Sequence, residues 1–434
     1  MEAENEGIRF AGEVKIRQAS ITTPAGQKQN IIGQIAGVSI FEDIFSPFIT
    51  GHVIIKDSLD LVNLLALNGQ DILDLEIETP SLDPDTAIRS TFLVYKMSDK
   101  EVLGDKNVVY TLHFISIEAL VNVNKKSSRS YRGNIGETIK EIMTDQIDGL
   151  ETTKNVFIED TVTTHQHVSN WWTPLKNIQY LTERAVNANG APYTFFENRD
   201  GFFFITLESM YDARTYQEFV HDKYTRDEYG DGSKDVKNIG EDYKRIIDMK
   251  IDVAFDFIKR IKTGMFGSRQ ITYDLFTKKY TVKDFVTADE FENLIRLNEN
   301  IGISKLGVAR PVAAQMTMIK ASNTFTDFTE NNGDTSNYTT IQKREALLNM
   351  AKLNCITITV PGRVDYSAGQ KVNVKVPKMN PLEKEDDDPY DNRWSGNYIV
   401  SAINHNITRR RHECTMELIS DSLQMSVDGE SEDN

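Results

Sequence analysis

The amino-acid sequence predicts an α+β, β-dominated fold: two duplicated β-barrels with inserted helix-plus-hairpin α/β modules. Three observations predict it. Short β-branched runs are separated by Gly, Pro, Asn or Asp, the start and the end of the chain share an ordered repeat, and two amphipathic segments between them lead into an aromatic hairpin.

In chain order, strands are expected in GEVKIRQASI, NIIGQIAGVSIF, GHVIIKD, DILDLEIETP, STFLVYKM and VVYTLHFISIEALV, so the chain up to about residue 123 reads as a small all-β unit. One helix interrupts it over 58–69, with Ser58 as its N-cap and Gly69 as its stop. After the polar linker 124–133, apolar residues at three and four spacing predict helices in 134–147 and 173–190. The second opens on Thr173 and Pro174 and stops near Gly190. Residues 191–210 form a hairpin around Asn198-Arg199-Asp200-Gly201, where Asp-Gly supplies the positive φ of a tight turn. Strands resume in 243–261 and 267–276, a helical stretch covers 287–300, and 323–340 reads as an exposed loop. A helix over 341–353 then leads to strands in 354–362, 369–377, 395–407 and 412–423.

The repeat keeps its order. Gly69-Gln70 and the alternation to Pro80 match Gly369-Gln370 and the alternation to Pro377. FLVYKM at 92–97 matches YIVSAI at 398–403, and YTLHFIS at 110–116 matches CTMELIS at 414–420. Any half-buried strand alternates, so one match carries little. Three in order, at offsets of 300, 306 and 304, indicate duplication of one barrel, with Gly69 and Gly369 in equivalent turns.

Composition bounds the function classes. The chain has 434 residues, 39% hydrophobic and 26% charged, as in ordinary globular proteins of two to four domains. No apolar window is long enough to span a membrane, and MEAENEG is acidic where an export signal is basic, so a soluble chain without a cleaved signal is expected. Cys355 and Cys414 are too few for a disulfide framework or a four-thiolate zinc site. The net charge of −16 lies in four stretches, 1–7 (−3), 227–242 (−4), 383–391 (−5) and 428–434 (−4), which read as loops and tails. Asp386 to Asp388 lack the Asp-x-Asp-x-Asp-Gly spacing of a calcium loop, and a strongly basic grip on nucleic acid is disfavoured.

The segment LKNIQYLTERAVNANGAPYTFFENRDGFFFITLESM resembles the stretch of baseplate hub proteins of contractile-tailed phages in which a helix with Leu-x-x-Arg-Ala leads to an aromatic hairpin. The closing run resembles that family too, through Val360-Pro361-Gly362, Gly369 to Pro377, Ser395 to His405 and Met416 to Ser422. FEDIFSPFITGHVIIKDSLDL looks like the family's first barrel. Type VI secretion spike proteins have a related N-terminal half but continue into an OB-fold and a β-helix; this sequence stops at its acidic tail, which favours a separate hub subunit. The resemblance is weakest over 207–245 and 281–340.

What the resemblance implies is a first tube-like barrel over 1–125, an α/β module with its acidic spacer over 126–244, and a discontinuous second barrel over 245–280 and 341–424. Residues 281–340 would be an inserted module and 425–434 an acidic tail. It further implies a homotrimeric ring of pseudo-six-fold symmetry that joins the hexameric tail tube to the trimeric central spike around the DNA channel. The expected partners are the tail tube protein, the central spike protein and other baseplate proteins, with DNA passing unbound. The expected location is the virion tail baseplate, after assembly in the host cytoplasm.

No enzyme is expected, and no catalytic, cofactor-binding or metal-binding residue is assigned. G-x-x-x-x-G-K-[ST], G-x-S-x-G and H-E-x-x-H are absent from the sequence. His165 and His167 could face one way on a strand and bind metal, but they lack a third ligand and read as a solvated loop. Asp252 and Asp256 could serve a peptidoglycan or glycan hydrolase, the alternative function, although solvent-facing acids on a strand explain them more simply. Trp171-Trp172 could stack on sugar, as in a carbohydrate-binding tail-tip module, or anchor the α/β core. Arg409-Arg410-Arg411-His412 reads as a charged hairpin tip that could touch phosphates.

Overall fold

The first third of the chain is a run of alternating strands. β1 (Lys15–Thr22), β2 (Lys28–Asn30), β3 (Ile35–Asp43) and β4 (Thr50–Asp57) are followed by α1 (Leu61–Leu64), β5 (Asp71–Glu78), β6 (Ile88–Leu103), β7 (Asn107–Ser116) and α2 (Ile117–Asn124). The computed structural model describes residues 8–103, 107–162, 164–221, 239–253, 256–274, 278–300, 314–320, 340–378 and 389–425. Their antiparallel order is β3-β4-β7-β6-β5-β1-β2, and the inward positions, among them Val53, Leu73, Leu75, Phe92, Leu112 and Phe114, close one core. The helix expected over 58–69 shrinks to one turn. Asp57 accepts the N–H groups of Leu59 and Leu61, and Asp60 is left-handed, so Ser58 lies ahead of the cap rather than at it. Gly69, at φ 84°, is the entry to β5 and not a helix stop.

The α/β module comprises β8 (Ser130–Asn134), α3 (Ile135–Thr144), β9 (Val156–Ile158), β10 (Thr164–Val168), α4 (Pro174–Thr182), β11 (Tyr193–Asn198), β12 (Gly201–Thr206) and α5 (Leu207–Asp212). Asn134 caps α3 and Thr173 caps α4, each accepting a backbone N–H of the first turn. α4 stops well before Gly190 because Glu208 takes the side-chain amides of Asn187 and Asn189, which holds that stretch as a loop. The hairpin forms as expected, with Asn198 paired to Gly201 at φ 138°.

The remainder supplies β13 (Gln217–Val220), α6 (Ile239–Asp242), β14 (Asp248–Val253), α7 (Phe257–Lys262), β15 (Gly267–Asp274), β16 (Lys279–Val286), α8 (Thr287–Glu290) and β17 (Gln315–Lys320). It ends with α9 (Ile341–Met350), β18 (Asn354–Pro361), β19 (Lys371–Lys375), β20 (Gly396–Thr408) and β21 (His412–Ser420). Here the order is β14-β18-β21-β20-β19-β13, over a core that includes Ile356, Ile358, Val372, Tyr398, Met416 and Leu418. Pairing of β20 with β3 fuses both runs into a thirteen-stranded sheet.

Three expectations change in this region. The strand expected over 243–261 ends at Val253, where Asp256 accepts the Lys259 N–H and starts α7. The strand expected over 267–276 forms as β15, but in a separate sheet between β16 and β17. The helix expected over 287–300 is one α-helical turn followed by a 3-10 turn over Phe291–Asn293, after which Asn298 binds Ser420, Ser422 and Asn397 through its side chain and holds the chain extended. The acidic stretches 1–7 and 428–434, most of the acidic stretches 227–242 and 383–391, and the loop 323–339 lie outside the described residues.

The two sheet halves share a ladder. Val94 faces Phe114 and Lys96 faces His113, with Tyr95 bulged between; Val400 faces Leu418 and Ala402 faces Glu417, with Ser401 bulged between. Gly369, at φ 89°, precedes β19 as Gly69 precedes β5. The repeat is out by one residue in that strand, however. Leu73, not Ile72, occupies the place of Val372, since they face Phe92 and Tyr398 respectively and both are buried.

Candidate assembly interface

Sheet edges carry the geometry that matters for function. β20 is long, bends at Ser401, and has two partners on one side: β19 pairs with residues 396–399 and β3 with residues 402–408. β6 is longer still and bends at Tyr95, but there β5 pairs only with residues 88–94. The following stretch, Lys96 to Leu103, pairs among the described residues with β7 alone. It exposes Met97, Val102 and Leu103, with Val102 at 71%. At the far end of the sheet β14 pairs, among the described residues, with β18 alone, and it exposes Ile251. Open edges with apolar side chains are templates for further pairing.

The occupied junction between β3 and β20 is built with buried polar contacts. Glu42, inward-facing at the end of β3, accepts the N–H of Arg199 at 3.0 Å and that of Ala368 at 2.9 Å. Burial pushes its carboxyl up to about 8, against the pull of those two N–H groups. Arg199, at the hairpin tip, donates to the carbonyls of Thr86 and Val364, and Asn198 donates to that of Ala368. Further along, Glu197 accepts from Ile49 N–H, Ser116 and Lys154. The aromatic hairpin is therefore wedged between the two sheet halves.

No family model matches the chain. It is 22% identical over 409 residues to a probable baseplate hub protein of Vibrio phage KVP40, covering 91% of each chain. The chain resembles a phage baseplate hub protein. Among solved structures this hub-like chain is similar to the 43 kDa tail protein of prophage MuSo2 from Shewanella oneidensis, with a TM-score of 0.54 at 8% identity over 94% of this chain and 99% of that one. It is also similar to a tail protein from Neisseria meningitidis, with a TM-score of 0.53 at 10% identity over 93% and 96%. Both likenesses are of fold.

The hub-like chain places the residues singled out from sequence as follows. His165 and His167 lie on β10 and are buried, not solvated. His167 stacks on Tyr131, and burial lowers His165 to about 4. Trp172 packs on Tyr180, while Trp171 is exposed at φ 56°. Asp252 binds Lys250 and Thr357, whereas Asp256 caps α7, so each carboxylate has its own local partners. Arg409 reaches the carbonyl of Ile35 and Arg411 pairs with Glu413; His412 is buried. Sequence reasoning passed over Glu42, although Val38, Ile40 and Glu42 alternate on one face and put a carboxylate on the core side.

Proposed function

We propose that this chain is a structural baseplate hub protein of a phage tail, in which three copies close a ring of six barrels that joins the six-fold tail tube to the three-fold central spike. One observation carries the closure: among the described residues, the in-chain junction of β3 with β20 has an open counterpart on the β6 tail, beyond its pairing with β5, and another on β14. Ile407 faces Val38 in that junction. Val102 occupies on β6 the ladder place of Ile407, opposite Val108 as Ile407 is opposite His412. Met249 occupies the place of Val38, because it faces Ile358, which faces Met416, as Val38 faces Val53, which faces Leu112.

Pairing β14 of one chain with the β6 tail of the next then repeats the internal junction. It sets Val102 against Met249 and Glu101 against Lys250, apolar on apolar and acid on base. Such a contact is head-to-tail, the kind that makes a ring when its rotation closes. The count of three comes from the hub resemblance and from matching two barrels per chain to a six-fold tube. On this reading the two barrel units are the halves of the large sheet, the tube, spike and neighbouring baseplate proteins are the partners, and DNA passes through without being held. Assembly takes place in the host cytoplasm, and the chain catalyses nothing.

Solution mass and top-view negative-stain images across protein concentrations test this. A three-chain ring with six lobes is expected; a monomer at every concentration, even with tube and spike proteins added, sinks it.

A further inference from the structure

We propose that His405, His412 and Cys414 form a structural metal site, suited to zinc, inside the second sheet half. β20 and β21 put the three together. His405 faces Cys414 across the ladder, and His412 and Cys414 are two apart on one strand, so all three side chains point to the same side. Each is fully buried.

Their donor atoms converge. His405 Nδ1 lies 3.0 Å from His412 Nε2, and Cys414 Sγ lies 3.4 Å and 3.3 Å from those two nitrogens. Zinc bonds of about 2.0–2.1 Å to nitrogen and 2.3 Å to sulfur set tetrahedral ligand atoms about 3.3–3.6 Å apart, so a slight expansion of this triangle accommodates the ion. Protons alone satisfy the triangle poorly. With both imidazoles protonated on their outer nitrogens, the thiol S–H serves one inner nitrogen and the two inner nitrogen lone pairs are left facing each other at 3.0 Å; turning one imidazole's proton inward takes it from that ring's outer nitrogen. A cation takes all three inner lone pairs and leaves both protons on the outer nitrogens. Sulfur with two imidazoles selects zinc or another borderline-soft ion over magnesium or calcium.

The surroundings are shaped for the His412 ring. A Cβ on Gly362 would sit 2.3 Å from that ring, so only glycine leaves it room. The Gly362 N–H donates to the His412 carbonyl, and the His412 N–H donates to the Gly12 carbonyl, both at 2.8 Å. A metal here would lock the limb of the β20–β21 hairpin that carries Ile407 into the first core and Arg409 onto the carbonyl of Ile35. The three side chains leave the fourth tetrahedral position to a water or another small ligand, and because all three are buried the ion enters during folding, so its binding energy becomes folding energy.

The test is elemental analysis of the full chain, expressed with zinc and purified without chelator, together with refolding in cobalt(II). Close to one zinc per chain is expected, along with thiolate-to-cobalt charge transfer and tetrahedral d–d bands. Cys414→Ser should abolish the charge-transfer band and cut zinc at least tenfold, while His165→Asn should leave both unchanged. Wild-type protein with less than a tenth of a zinc per chain and no cobalt bands overturns the proposal, as do bands that persist in Cys414→Ser. If that variant does not fold, the wild-type stoichiometry and spectrum decide alone.

Discussion

Glu42 ties three segments with one carboxylate: β3, the hairpin tip at Arg199, and the loop at Ala368. Because its pKa rises from 4.5 to about 8 on folding, the folded chain holds a proton that the unfolded chain releases in that window. This contribution is present below the window and fades as pH rises through it. Urea titrations from pH 5 to 9 should show wild-type stability falling on this account. In Glu42→Gln the slope should flatten while the amide NH2 faces an N–H donor, at a cost of about 1–3 kcal/mol. An unchanged slope would show that Glu42 is not its source. A second residue-scale prediction concerns Gly51, where a Cβ would lie 2.3 Å from the Phe114 ring and from the Ser39 carbonyl. Gly51→Ala should cost about 1–3 kcal/mol and lower the melting temperature. Glu42 was readable in the alternation of β3, but nothing local said what would meet it, since Arg199 and Ala368 arrive from 157 and 326 residues away.

At the scale of elements, strand cores were read well, but α2, α5 and α7 form where strands were expected to run on, and the helices that were expected come out shorter. Alternation is a property of each strand's own residues, so β5, β7, β18 and β21 fall where it places them. Helix ends depend on competition from side chains: Asp57 and Glu208 draw backbone or amide groups away from helical continuation, and apolar spacing does not register that. The cap read at Thr173 holds, whereas the one read at Ser58 does not, since Asp60 takes that place. Thr173 accepts the Lys176 N–H at 3.3 Å, and Thr173→Ala should lower stability by about 1 kcal/mol in chemical denaturation. The module's buried histidines give it an acid limit. His165, at about 4 when folded against 6.5 when free, stays neutral inside while the unfolded chain protonates, so stability is full above 6.5 and is lost as pH falls toward 4. Tryptophan fluorescence in urea should show that loss reduced in His165→Asn; equal acid sensitivity would assign it elsewhere.

For the whole molecule, the open β6 tail and β14 make a prediction that mass alone does not. Val102→Cys with Met249→Cys should oxidise to an interchain ladder that stops at three chains, because a closed ring offers no further edge. Background is low, since Cys355 and Cys414 are both buried. Either single variant should stay uncrosslinked, and a double variant that never crosslinks would remove the β6–β14 junction.

The sequence by itself determined the β-dominated class, the ordered repeat, the α/β module with its aromatic hairpin, and the likeness to hub proteins, because alternation, turn chemistry and motif spacing are written along the chain. Only the tertiary structure decided which strands share a sheet. It sent β15 away from the large sheet, moved one register by a residue, split Asp252 from Asp256, buried His165 and His167, and gathered His405, His412 and Cys414. The physical reason is range. A strand's pattern fixes which face it buries, but its partner is chosen by backbone pairing and packing with residues hundreds of positions away, and no local pattern encodes that choice.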